Sequence, residues 1–200
     1  NVYFDNAATT KVRDEVIDNM SNVLKDCFGN PSSTHSYGRS AKSYIETARK
    51  SIAKILNCDP GEIIFNSGGT ESDNSILKCA VKDLGVKHII SSKIEHHAIT
   101  HTLDELKLQG INVNYVKLSE NGNVDIDNLE YLLSSNDEPK LVTLMYINNE
   151  IGNILDVKYV SDLCQKYNSF FHTDAVQAVG HYKIDLKSIN IDFLSSFKAN

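Results

Sequence analysis

Apolar residues along the chain follow two alternating patterns, one with helical spacing and one typical of strands. Apolar side chains three or four positions apart lie on one face of a helix, and this spacing predicts helices at residues 12–23, 45–55, 70–84, 98–108, 127–132 and 157–163. Asp127 and Asp156 are expected to cap the last two of these helices at their N-termini. Continuous or alternating apolar runs are typical of strands, and they occur at residues 63–65, 88–91, 111–115, 141–147, 170–173 and 191–194.

The order of these elements predicts the fold class. Strands and helices alternate along most of the chain, which favours an α/β fold with a mostly parallel sheet and helices on both faces. Residues 141–147 form a continuous apolar run, as expected for a strand that is covered on both faces. In folds of this kind, ligands bind beyond the carboxyl ends of the strands. The residues that follow the predicted strands are therefore the first candidates for a site.

Composition and charge narrow the classes of function. The chain has 200 residues and a formal net charge of −6, and it shows no basic face of the kind that nucleic-acid binding needs. No apolar run approaches the roughly 18–20 residues of a membrane span. The four cysteines form no CxxC pair; they are Cys27, Cys58, Cys79 and Cys164. These features predict a cytoplasmic protein with reduced, mostly packed thiols and no nucleic-acid or membrane partner.

The first chemically distinctive segment is FNSGGTESDN, at residues 65–74. A predicted strand leads through two glycines into a helix, whose first N–H groups are free and whose N-terminus carries a partial positive charge. Gly69 and Thr70 are therefore candidates for binding a phosphate. The alternative is an ordinary helix start that Thr70 caps.

The segment KIEHHAITH, at residues 93–101, also follows a predicted strand. His96 comes first after that strand, where a histidine can stack on a planar ligand or move a proton near neutral pH. His97 and His101 are four residues apart and could share a helical face as metal ligands, but no further ligand cluster is evident. We therefore predict no metal site.

Two further segments present polar side chains after strands. YINNEIG, at residues 146–152, offers the amides of Asn148 and Asn149, although such residues are also common in plain turns. FFHTDAVQAVG, at residues 170–180, places Asp174 at the end of an apolar strand, with Gln177 three residues later. A buried carboxylate needs a cation or a donor, and a protonated pyridine ring nitrogen would supply one. Capping of a helix start is the alternative for Asp174.

These segments together resemble one family. YFDNAATT, FGNPSSTHSYGRSA, IIFNSGGTESDN, EHHAI, NNEIG and HTDAVQAVG occur here in an order and spacing similar to those of cysteine desulfurases. Those enzymes belong to the class V aminotransferase group of pyridoxal-phosphate enzymes and have the fold type I architecture. The resemblance implies a large cofactor-binding domain at residues 16–200, preceded by an N-terminal segment at 1–15. A C-terminal small domain is absent from the chain.

The resemblance also implies roles for single residues. Gly69 and Thr70 would bind the phosphate of pyridoxal 5'-phosphate, and His96 would stack on its ring and assist proton transfer as the catalytic residue. Asp174 would pair with the pyridine nitrogen and Gln177 would bind the phenolic oxygen, while Asn149 would lie beside cofactor and substrate. The stretch at residues 29–33 would border the substrate site. The implied reaction takes sulfur from L-cysteine and gives L-alanine and an enzyme persulfide.

The C-terminus departs from the family pattern S-x-S-x-H-K, whose lysine forms the Schiff base. An ungapped alignment places Asn200 at the lysine position, whereas a two-residue deletion would place Lys198 there. The acceptor cysteine and the arginine that binds the substrate carboxylate are also absent from these 200 residues. We therefore expect this chain alone to be inactive on cysteine. The alternatives are a truncated paralogue that binds only cofactor or a partner, or another class V lyase such as a selenocysteine lyase.

The resemblance further implies a homodimer, because the active site of fold type I enzymes lies at a subunit interface. A sulfur-acceptor scaffold protein for iron-sulfur cluster assembly is a further expected partner. Both expectations concern the complete enzyme and rest on the resemblance alone.

Overall fold

The computed structural model describes residues 2–196. The chain divides into two compact units, one within residues 2–65 and the other within residues 66–196, and each is described by itself. The predicted domain boundary after residue 15 stays a prediction. Lys198 and Asn200, on which the expected Schiff-base position depends, lie outside the described residues.

The first unit is helical. Helix α1 spans Asp14–Asp26 and helix α2 spans Ser36–Leu56, and a short 3₁₀ helix follows at Pro60–Glu62. Both long helices are confirmed where the apolar spacing predicts them. Helix α1 buries none of its residues. Helix α2 ends at Asn57, which adopts the left-handed conformation that terminates many helices.

The strand predicted at residues 63–65 is wrong. These residues pair with no strand within the described part of the chain, and the side chain of Ile64 is largely exposed. Arg49 holds the segment instead: its guanidinium donates to the backbone carbonyl of Ile63 and lies 4.9 Å from the ring centre of Phe65. An apolar run gives a strand only where a neighbouring strand satisfies its backbone groups.

The second unit is built on a parallel sheet. Its strands are β1 (His88–Ser91), β2 (Asn112–Tyr115), β3 (Lys140–Thr143), β4 (Phe170–Asp174) and β5 (Phe193–Ser195). Their order is β2-β1-β3-β4-β5, and every neighbouring pair is parallel. The carboxyl ends of all five strands therefore meet along one side of the sheet, called the carboxyl edge below.

Four helices cover the sheet: α3 (Gly69–Asp83), α4 (His97–Leu108), α5 (Ile126–Ser134) and α6 (Val157–Lys166). Successive strand residues point to opposite faces. Ile89 packs in one core cluster with residues of α3 and α4, whereas its neighbour Ile90 packs in a second cluster with residues of α5 and α6. The predicted α/β fold, with helices on both faces of a parallel sheet, is confirmed.

Two details of the prediction are wrong. Asp125, and not Asp127, caps helix α5, because its carboxylate accepts from the backbone N–H of Asn128 at 3.0 Å. The strand predicted at 141–147 ends at Thr143. Beyond it the chain still runs beside β4, since the N–H of Tyr146 donates to the carbonyl of Asp174 at 2.8 Å.

The cysteines differ in exposure, so the prediction of mostly packed thiols holds only in part. Cys164 is buried, Cys27 and Cys58 are partly buried, and Cys79 is exposed; all four are free thiols. Burial raises the pKa of the Cys164 thiol to about 12, so this group stays protonated and unreactive. No helix within residues 2–196 is long and apolar enough to cross a membrane.

Candidate active site at the carboxyl edge of the sheet

Asp174 is the last residue of β4 and lies at the centre of the candidate site. Its side chain is buried, and Oδ1 accepts a hydrogen bond from the backbone N–H of Val176 at 2.9 Å. Burial raises the pKa of Asp174, while this hydrogen bond and the nearby charge of His96 oppose the rise. His96 and Asp174 are thus close enough to interact electrostatically. The hydrogen bond stays within the turn after β4, and no helix begins there, so the alternative of a helix cap is wrong for Asp174.

His96 follows β1 and is the N-cap of helix α4. Its Nδ1 accepts from the backbone N–H of Ala98 at 3.1 Å, so the proton of the neutral ring is on Nε2. The side chain is exposed, which leaves the ring free to meet a planar ligand. The cap therefore fixes both the tautomer and the position of the ring.

The rings of His97 and His101 stack with centres 5.2 Å apart on the exposed side of α4. Among residues 2–196, no group of three or more His, Cys, Asp or Glu side chains could hold a metal ion. The histidine pair gives no support to the metal-site alternative.

Helix α3 begins with an uncapped N-terminus. Gly68 is its N-cap and makes no side-chain capping bond, whereas side chains cap α4, α5 and α6. Gly69 and Thr70 form the start of the first turn, where backbone N–H groups have no intrahelical partner. The alternative in which Thr70 caps the helix is therefore wrong. The carboxylate of Glu71 is turned back to the backbone N–H of Ser67 at 2.7 Å.

The two neighbouring asparagines after β3 have different roles. Asn148 is buried; its Nδ2 donates to the carbonyl of Ile94 at 2.8 Å, and its Oδ1 accepts from two backbone N–H groups of its own loop. Asn149 is partly exposed and lines an open pocket of about 380 Å³ together with Gln177. Both asparagines line this pocket, but the hydrogen bonds of the buried Asn148 hold it in the loop, whereas Asn149 is partly exposed.

Two buried carboxyl groups at this edge have no place in the interpretation of the sequence. Asp73 lies one turn into α3, and Glu95 lies between β1 and His96; both are buried. Burial and the charge of Asp174 raise the pKa of Asp73 to about 7, although a hydrogen bond with Ser195 lowers it. Burial raises the pKa of Glu95 to about 8. The only signal in the sequence was their position inside TESDN and EHHAI.

A buried histidine supports the edge from beneath. His172 of β4 lies with Nδ1 2.8 Å from Thr143 Oγ1 and with Nε2 2.9 Å from Ser195 Oγ, which ties β3, β4 and β5 together. Its Nε2 also lies 3.5 Å from Oδ1 of Asp73. Burial lowers the pKa of His172 to about 3, so the ring is neutral. A neutral ring leaves the nearby carboxyl groups without a compensating cation.

The buried carboxyl groups at the carboxyl edge therefore lack two kinds of partner, a cationic side chain and a hydrogen-bond donor. Asp73, Glu95 and Asp174 form no ion pair with any Lys or Arg of the described residues. Oδ1 of Asp73 and Oε2 of Glu95 are buried without a hydrogen-bond partner there. A ligand with a cationic ring at Asp174 and an anionic group at the start of α3 fits both ends of the site. Residues 29–33 lie in the first unit, and their expected role beside the substrate stays a prediction.

Curated relatives carry one activity in their names. The chain is 45% identical over 197 residues to cysteine desulfurase IscS of Clostridium botulinum (strain Kyoto / Type A2), covering 97% of this chain and 49% of the relative. It is 46% identical over 197 residues to cysteine desulfurase IscS of Methanosarcina thermophila, covering 97% of this chain and 48% of that protein. The chain thus spans about half the length of the curated relatives it matches.

Solved structures agree with the fold. A structure described as a NifS-like protein matches with a TM-score of 0.92 at 38% identity, covering 98% of this chain and 54% of that one. A structure described as SspA in complex with cysteine matches with a TM-score of 0.91 at 33% identity, covering 98% of this chain and 57% of that one. The family model of aminotransferase class-V matches residues 2–198. The chain therefore belongs to the aminotransferase class-V family.

Proposed function

We propose that this chain forms the cofactor-binding half of a cysteine desulfurase that uses pyridoxal 5'-phosphate. The observation that carries the proposal is Asp174, a carboxylate buried at the end of β4 that forms no ion pair with a Lys or Arg of the described residues. A buried carboxylate is costly unless a cation neutralises it. The protonated ring nitrogen of the cofactor is a cation that would neutralise this carboxylate.

The remaining site residues fit the other parts of the same cofactor. The free N–H groups at Gly69 and Thr70 suit its phosphate, because a helix N-terminus stabilises an anion. His96 presents an exposed ring that can stack on the pyridine ring, and its Nε2–H can donate or move a proton there. Gln177 and Asn149 line one pocket, from which their amides can bind the phenolic oxygen and the substrate.

Pyridoxal phosphate, when bound, supplies an electron sink that lowers the cost of removing a proton from the substrate's α-carbon. The residues of this chain would hold the cofactor and polarise its ring. Asp174 would keep the ring nitrogen protonated, because a carboxylate at low dielectric favours the cationic form. His96, fixed as the Nε2–H tautomer, would stack on the ring and could hold or move a proton at Nε2.

L-cysteine is the proposed substrate, and a sulfur-accepting cysteine of the complete protein is the proposed acceptor. The support is the activity in the names of the relatives and the cysteine bound by one structural neighbour. Desulfuration gives L-alanine and a persulfide on that cysteine. We also propose that the complete protein is a cytoplasmic homodimer that passes sulfur to a scaffold protein.

The test is the substitution Asp174→Asn, assayed by equilibrium binding of pyridoxal phosphate. We expect affinity to fall at least about 100-fold, since breaking a buried charge pair costs about 3–5 kcal/mol. Asp192→Asn is the control: burial also raises the pKa of this carboxyl group, but it accepts from Phe171 N–H near the amino end of β4, away from the carboxyl edge. Equal affinity of the Asp174→Asn variant and the parent protein would refute the ring-nitrogen assignment. The complete protein should release alanine from cysteine only with cofactor present.

A further inference from the structure

We propose that Glu95 is a positioning residue that holds its proton at neutral pH and so limits the negative charge around Asp174. This inference rests on the proposed function, because the charge that must be matched is that of the cofactor ring. It concerns a residue that touches neither the phosphate site nor the pocket of Gln177 and Asn149. Its role is to set the electrostatic environment of Asp174.

Glu95 is buried where its negative charge would have no Lys or Arg partner among the described residues. Its side chain is 8% exposed. Oε1 accepts a hydrogen bond from the hydroxyl of Ser92, and Oε2 is buried without a hydrogen-bond partner among the described residues. The Ser92 hydroxyl and the backbone N–H of Met145 favour the ionised form of Glu95, but burial outweighs both. One oxygen is thus satisfied as an acceptor, and the other is the natural place for a proton.

Glu95 also has access to solvent protons. It lines a cavity of about 210 Å³ whose other polar lining includes Asn148, Asn153 and Asp156. A space of this size exceeds the roughly 30 Å³ that one water occupies in the liquid. Glu95 can therefore exchange its proton through the cavity and does not need the cofactor side of the sheet.

The titratable groups around Glu95 come from three elements. Asp73 faces it from α3 and Asp174 from β4, and the charges of both carboxylates favour the protonated form of Glu95. His96 faces Asp174 from the start of α4, and His172 lies beside Asp73 as a neutral ring. Burial raises the pKa of Asp73 to about 7 and that of Glu95 to about 8, so both groups lose their protons at higher pH than an ordinary carboxyl group.

The protonation of Glu95 affects the cofactor ring. At neutral pH the negative charge of Asp174 is matched by the cationic ring, and protonated Glu95 adds no further negative charge. Above the midpoint of Glu95 a second carboxylate forms nearby, and a second negative charge favours the protonated ring. Glu95 should therefore extend ring protonation to higher pH.

The first experiment follows carboxyl ¹³C shifts of the cofactor-free protein by NMR against pH. We expect one Glu signal to titrate near 8 and to be absent from the Glu95→Gln variant. Asp174→Asn should lower that midpoint, since a like charge is removed. Ser92→Ala should raise it, because the hydroxyl's hydrogen bond favours the ionised form. The exposed Glu120→Gln substitution is the control and should leave it unchanged.

The second experiment records the absorbance of bound pyridoxal phosphate against pH in the parent and in Glu95→Gln. We expect equal affinity within about twofold at pH 6, where Glu95 is as neutral as glutamine. The ring should lose its proton at lower pH in the variant. A parent protein that binds no cofactor would overturn the proposed function and this inference together. Cofactor binding with identical pH profiles, or a Glu95 midpoint near that of exposed glutamates, would overturn the inference alone.

Discussion

The two compact units differ in how far they bury their apolar side chains. In the unit at residues 66–196, two clusters of fully buried side chains fill both faces of the sheet. In the unit at residues 2–65, α1 buries nothing, and several of its apolar residues stay exposed; Ile17, Met20 and Leu24 are 45%, 56% and 77% exposed. The same helical spacing thus has two outcomes.

An amphipathic pattern predicts a helix, but it does not by itself predict that the apolar side of the helix is buried. The pattern fixes that a helix forms and which side of it is apolar. Burial needs a second surface, which the sheet supplies to α3 through α6. Losses of stability on truncating apolar side chains should therefore be largest in the second unit. The first prediction below compares the two units, and the next two compare positions within one unit.

The largest effect is expected from a core truncation in the second unit. Leu129→Ala removes a fully buried side chain between α5 and the sheet, and we expect a loss of about 2–5 kcal/mol in the free energy of unfolding. Leu24→Ala on α1, at 77% exposure, should change it by less than about 0.5 kcal/mol. Urea unfolding followed by circular dichroism measures both. A large loss for Leu24→Ala would show that the α1 face is covered in solution.

A smaller effect is expected at Gly38, near the start of α2 in the first unit. Replacing a helical glycine with alanine usually stabilises a protein. Here a Cβ would lie 2.4 Å from the backbone carbonyl oxygen of Ser33, so we expect a loss of roughly 1–3 kcal/mol. Gly61→Ala is the control, since its nearest neighbour would be a side-chain oxygen at 3.5 Å. Thermal unfolding that ranks the two variants equally would contradict the close packing of the loop at residues 29–38.

The smallest effect is expected from a helix cap. Asp156 accepts from the backbone N–H of Tyr159 at 3.0 Å at the start of α6, and Asp156→Ala should cost about 1 kcal/mol. Asp162→Ala, on the same helix, removes only an exposed ion pair with Lys158 and should cost less than about 0.5 kcal/mol. Chemical denaturation of both variants checks the order. A larger loss of unfolding free energy for Asp162→Ala than for Asp156→Ala would contradict the expectation that the cap stabilises α6 more than the exposed ion pair does.

Much of the fold and part of the site were predictable from the sequence. The spacing of apolar residues is a local property, so it revealed both helices of the first unit and the layered sheet of the second. Asp174 was also predictable, because a carboxylate that directly follows an apolar strand has few ways to avoid burial. His96 was predictable on a different ground, as the first histidine after the strand β1.

The tertiary structure alone decided what depends on neighbours distant in sequence. Residues 63–65 have the composition of a strand, but no described strand pairs with them, and Arg49 holds them instead. Asn148 and Asn149 are chemically identical, yet Asn148 is buried and held in its loop, whereas Asn149 is partly exposed. Asp73 and Glu95 read as ordinary polar residues until α3, β1 and β4 bury them near Asp174. The free energy of a charge depends on the dielectric and charges around it, and only folding brings those together.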